Sequence, residues 1–219
     1  MLIGHAGATN SERGSELQEL IWRIQRAVPQ GPEAVASVMR EKLRSGKNWL
    51  DPRYQALGRR EVAMFPLHSA LTRSFSIATV VIRPDVRLPV HNHNGWAVLA
   101  VYSGRVREIR YRRLDDGRMP DIARVVPERT LIHDRGTACV LPDGHIHTAL
   151  AIGDEPAVTI QVYGTTLDNQ GGSTFDVHSG HVGRYRPHYC DPSKRALPPG
   201  IPNAITSSLQ RKARRLRRT

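Results

Sequence analysis

A mainly β chain, a sandwich or small barrel preceded by a helical pair, is what three observations predict. Apolar residues recur at helical spacing only before about residue 46. Short β-branched runs then follow one another, punctuated by Gly, Pro and Asp. Two histidine segments lie in or beside those runs: Pro89-Val90-His91-Asn92-His93, and the stretch from Gly136 through Pro142, Gly144 and His145 to His147. Many short strands with turn residues between them favour a closed or double-layered β architecture.

Taken in order, residues 1–13 are polar and expected to be disordered. Residues 14–48 form the helical pair. Ser15 with Gln18 reads as a capping box, and Leu17, Leu20, Ile21, Ile24 and Val28 make one apolar face. Gly31-Pro32 separates the helices, because Gly ends one and Pro suits the first turn of the next. Val35, Val38, Met39 and Leu43 line the second. Residues 49–165 hold the barrel. Its strands are expected over Phe75 to Ile82, Trp96 to Tyr102, Val106 to Tyr111, Ala138 to Leu141 and Val158 to Tyr163, with a turn at Asp115-Asp116-Gly117. Residues 166–219 read as an irregular extension ending in a basic tail.

Composition narrows the class. The 219 residues are 39% hydrophobic, enough for one buried core. No apolar run is long enough to span a bilayer, and the polar start lacks a secretory apolar region. Cys139 and Cys190 are the two cysteines, too few for a disulfide framework, so a cytoplasmic location is expected. The net charge is +12, and six basic residues between Arg211 and Thr219 supply half of it. Such a tail reads as a solvated end that could meet an acidic partner. No interleaved aromatics support nucleic-acid stacking.

The histidines carry the chemistry. On a strand, residues i and i+2 share a face, so His91 and His93 would project together while Asn92 points away. A Pro-x-Gly turn before His147 could bring that ring across to the pair. His145 is a rival that would face the other side. Three neutral imidazoles leave positions open on a metal for a substrate and O₂. Cys139 reads as a small buried hydrophobe.

The second histidine segment resembles the second motif of the cupin superfamily: Gly136, Pro142, Gly144 and His147 match, with Ala151 where the motif ends in Asn. His91-x-His93 closing at Gly104 resembles the first motif, but its Glu is missing from Asn94-Gly95-Trp96-Ala97-Val98. A three-histidine cupin of this kind resembles the thiol dioxygenases, the cysteine and 3-mercaptopropionate dioxygenase family. Trp49-Leu50-x-Pro52, the run from Phe75 to Pro84, and the stretch from Asp154 to Gly164 resemble that family too. The resemblance implies a cupin barrel (a double-stranded β-helix or jelly roll) behind the N-terminal helices. It implies Fe(II) on His91, His93 and His147, and a small thiol oxidised by O₂ to a sulfinate. Tyr163 would be the active-site phenol, with Gln161 beside it. Trp96, Arg83 and Thr159 are the candidates for contacting substrate.

The chain departs from the family in specific places. Thr159-x-Gln161-x-Tyr163 stands where a Ser-x-His-x-Tyr run is usual, and Gln cannot shuttle a proton as His can. No cysteine follows His93 in the region that forms the Tyr crosslink in some members. Ala63-Met64-Phe65-Pro66 and Thr165 to Gln170 lack the carboxylate-binding Arg of the family, leaving Arg73, Arg83, Arg87 and Arg184 as alternatives. A cupin oxygenase with a non-thiol substrate, and a non-catalytic metal-binding cupin whose tail binds a partner, are the other readings.

Overall fold

The computed structural model describes residues 9–46 and 48–193. The basic tail and the first eight residues lie outside them. Two helices, α1 (Asn10–Ala27) and α2 (Pro32–Arg44), precede ten strands. These are β1 (Val62–Ser69), β2 (Ser76–Ile82), β3 (Ala97–Ser103), β4 (Val106–Arg113), β5 (Val125–His133), β6 (Ala138–Leu141), β7 (Ile146–Ala151), β8 (Ala157–Tyr163), β9 (Gly172–Phe175) and β10 (Val182–Tyr185).

The first helix starts earlier than the Ser15 box predicts. Thr9 is the N-cap: its side chain accepts from the Glu12 N–H, and the Glu12 carboxylate accepts from the Thr9 N–H at 2.7 Å. A carboxylate at this position also meets the positive end of the helix dipole, which Gln18 could not do. Residues 9–13, expected to be disordered, are therefore the cap and first turn. Leu20, Ile24, Val35 and Met39 are fully buried between the helices and the sheet.

The sheets are antiparallel. One has the order β1-β2-β8-β3-β6, and a second has β5-β4-β7. Central strands β2 and β8 are buried on both faces. Their outward residues, Ile77, Val81, Val158, Ile160 and Val162, pack with the helices. Their inward residues, Ala78, Val80, Ile82, Ala157 and Tyr163, meet Val106, Ala149 and Ala151 of the second sheet. The result is a mainly β, cupin-like fold with two N-terminal helices. None of the described helices is long and apolar enough to cross a membrane.

The expected strands are present, and five others, β1, β5, β7, β9 and β10, join them. Strand β5 escapes sequence reading because it is a mostly exposed edge with Pro127 in it, which an edge strand tolerates. The extension is not irregular throughout. Strands β9 and β10 pair as a hairpin, and β9 docks on the first histidine segment. Phe175 N–H donates to Val90 O at 2.8 Å, and Asn92 N–H donates to Ser173 O at 3.1 Å. This approach needs Gly172, where a Cβ would lie 2.3 Å from Asn92 O.

Trp49 and Leu50 fasten the helices to the sheet. Both are buried, the Trp49 ring stands edge-on to Tyr102 at 5.5 Å, and the Leu50 N–H donates to the Tyr102 hydroxyl at 3.1 Å. Tyr102→Phe keeps the ring contact and orphans this N–H. It is expected to lower unfolding free energy by about 1–2 kcal/mol, as measured by denaturant titration.

Candidate metal centre

His91 and His147 are held together by backbone. Each donates its N–H to the other's carbonyl, at 2.8 Å and 2.9 Å. The first segment is therefore not a strand of its own, as expected, but an extended loop clamped between β7 and β9. The i, i+2 argument still holds. His91 and His93 point to the same side with ring centroids 4.8 Å apart, and His147 lies 4.7 Å from His91 and 5.5 Å from His93.

All three rings are buried, and one nitrogen from each lies within 4.8 Å of the others. The Nε2 atoms of His93 and His147 are 3.4 Å apart, a gap that an ion about 2.0–2.1 Å from each would span. His91 Nδ1 lies 2.8 Å from Pro89 O, which suits an N–H donating there and leaves Nε2 free as a ligand. Burial pushes His91 well below the ordinary imidazole range, helped by His147 and His93. It pushes His93 down to about 3, and lowers His147 as well. The rings are thus neutral, the form that binds metal. On the side away from this gap, His147 Nδ1 lies 3.4 Å from Glu108 Oε1. Buried neutral imidazoles turned toward one another fit a cation between them.

Sequence reading missed Glu108. This carboxylate is fully buried on β4, with His133 Nε2 at 2.8 Å, His145 Nε2 at 2.9 Å, Arg110 at 3.2 Å and His147 Nδ1 at 3.4 Å. Burial alone would push its pKa up, but hydrogen bonds with His133, His145 and His147 outweigh that and hold it well below the usual range. His133 is raised to about 9: burial opposes its charge, and the Cys139 sulfur and Glu108 overcome it. The signal for Glu108 was the alternation from buried Val106, which puts residue 108 on the inner face. His145 does not face the other side; it shares the interior with His147 at 5.3 Å. Cys139 is half-buried, not a simple core residue, with its sulfur 4.0 Å from His133 Nε2.

A pocket of about 50 Å³ opens onto His91 and His93. Val62, Met64, Val80, Leu88 and Pro89 form its apolar walls, with Gln161, Tyr163, Tyr185 and His188 as the polar lining. The Tyr163 hydroxyl donates to Gln161 Oε1 at 2.5 Å, and Gln161 Nε2 reaches the Thr159 hydroxyl at 3.5 Å. Thr159 in turn donates to Val80 O at 3.3 Å. This ladder fixes both pocket side chains but keeps Thr159 behind them, out of the lining. Burial pushes the Tyr163 phenol well up, so it is a neutral group.

Two further expected contacts, besides that of Thr159, are not made. Trp96 faces outward into the helix-side core, its ring so close to Gly164 that a Cβ there would lie 2.3 Å away. Ala97 and Leu99 face the interior, so the period-2 rule sends Trp96 outside. Arg83 is turned to the Arg60 carbonyl, 2.6 Å away. Neither it nor Arg73, Arg87 or Arg184 lines the pocket. Tyr185 was missed, because its hairpin returns from the far end of the chain; its ring lies 4.8 Å from His91.

No protein-family model matches the chain, and no curated protein matches it in sequence. Among solved structures it is similar to an oxalate oxidase with bound glycolate, at 20% identity and TM-score 0.39, over 48% of this chain and 51% of that one. It is similar to a variant of Bacillus subtilis oxalate decarboxylase at 21% identity and TM-score 0.39, over 50% of this chain and 27% of that one. The cupin domain of Schizosaccharomyces pombe Cnp3 matches at 13% identity and TM-score 0.38, over 49% of this chain and 66% of that one. Likeness at this level bears on neither reaction nor metal.

Proposed function

We propose that the protein is a mononuclear Fe(II) oxygenase that oxidises a small thiol lacking a carboxylate to its sulfinate. The observation that carries the reading is the buried trio His91, His93 and His147, with facing nitrogens, beside a mostly apolar pocket. Three imidazoles suit iron among the first-row metals and leave positions for other ligands. When bound there, iron would supply the Lewis acidity and electron transfer by which a thiolate and dioxygen combine, R–S⁻ + O₂ → R–SO₂⁻.

The chain's own residues do the rest. Met64, Val80 and Leu88 exclude water around the reacting sulfur. The Tyr163 hydroxyl donates its hydrogen bond to Gln161, so its oxygen lone pairs are available to accept from a substrate N–H or O–H. Glu108 would hold the outer nitrogen of His147 and raise that ring's basicity. No Arg or Lys is among the described residues lining the pocket, so nothing there neutralises a substrate carboxylate. The same apolar walls favour, as a second reading, an oxygenase acting on a neutral non-thiol substrate.

Anaerobic iron loading followed by an oxygen-electrode assay tests the reaction. Uptake is expected with aminothiols or neutral thiols, and not with thiol carboxylates. No uptake with any thiol by iron-replete protein sinks the thiol reading. His147→Ala is expected to drop retained iron from about one per chain to under about 0.1 by elemental analysis, since it removes one of three protein ligands. Glu108→Gln should weaken iron affinity roughly 10–100-fold in a competitive chelator titration. Tyr163→Phe should cost about 1.5 kcal/mol of hydrogen bonding to a polar substrate, roughly tenfold in kcat/KM.

A further inference from the structure

We propose that Glu108, His133 and Cys139 form a second cation site, separate from the three-histidine centre, for a thiophilic divalent cation such as zinc. One oxygen, one ring nitrogen and one sulfur from these residues lie within 4.8 Å of one another. Glu108 and His133 are buried, and Cys139 is half-buried, which gives the cluster a route to solvent.

The arrangement around His133 is what favours a cation over a hydrogen-bond network. Glu108 Oε2 at 2.8 Å and Cys139 Sγ at 4.0 Å both converge on the same atom, Nε2. A single N–H there cannot align with the carboxylate and the sulfur at once. A zinc ion needs bonds of about 2.0 Å to nitrogen and 2.3 Å to sulfur, so it bridges such a separation with a wide angle and little movement. The fourth tetrahedral position falls to water.

Charge points the same way. A carboxylate and a thiolate cancel a divalent cation, so the loaded cluster is neutral and cheap to bury. Binding releases the Cys139 thiol proton, and any proton on His133 Nε2, to solvent. Arg110 reaches the same Glu108 oxygen at 3.2 Å from a side chain that is 24% exposed. Cys190, the other cysteine, sits away from this cluster with its backbone N–H on Met64 O at 2.6 Å.

Cobalt(II) titration of the metal-free full chain tests the site, because thiolate ligation adds a near-ultraviolet charge-transfer band that imidazole ligation lacks. Two equivalents are expected, one carrying that band, with Cys139 protected at least tenfold from alkylation by iodoacetamide. Cys139→Ala should keep one equivalent and lose the band, whereas Cys190→Ala should keep both. If the three-histidine centre fails to bind, the wild type shows one equivalent with the band and Cys139→Ala shows none. Absence of the band in the wild type, or its persistence in Cys139→Ala, overturns the proposal. Alkylation of wild-type Cys139 at the same rate with and without cobalt also overturns it, without relying on any variant.

Discussion

The reciprocal backbone hydrogen bonds between His91 and His147 organise the interior. They fix two imidazoles side by side without relying on side-chain contacts. The bonds form because the loop before β3 is gripped on both sides, by β7 and by β9. Gly172 permits the second grip, since any side chain there would strike Asn92. The hairpin that closes this clamp also brings Tyr185 against His91. Clamp, histidine trio and pocket wall are one construction.

Burial then sets the chemistry. Protonated imidazoles are costly in an apolar interior, so the three rings are held neutral and ready to donate lone pairs. A fully buried carboxylate would be more costly still. Glu108 persists because His133, His145 and Arg110 surround it. The barrel thus contains a polar seam across its apolar core. His147 is the joint in that seam, facing His93 through one nitrogen and Glu108 through the other.

The pocket lining differs from what the resemblance to the thiol dioxygenases implies. Gln161 takes the place of a proton-shuttling His, yet it is fully engaged in holding Tyr163. The cationic positions are gone, and Met64, Val80 and Leu88 supply apolar surface instead.

Local patterns were enough for much of this. The i, i+2 spacing put His91 and His93 on one side, the turn ahead of His147 marked the third ring, and the alternation in β8 placed Tyr163 beside Gln161. Such rules depend on a few neighbouring residues, so the sequence by itself determined them. Trp96, Arg83, Glu108 and Tyr185 depended on more. A charged residue in an alternating strand can face solvent or core, and only the covering sheet decides which way Glu108 turns. Trp96 and Arg83 found partners outside the pocket, and Tyr185 reached it through a hairpin that pairs His91 with Thr174, far along the chain. Those choices rest on long-range pairing and burial, which local sequence does not encode, and the tertiary structure alone decided them.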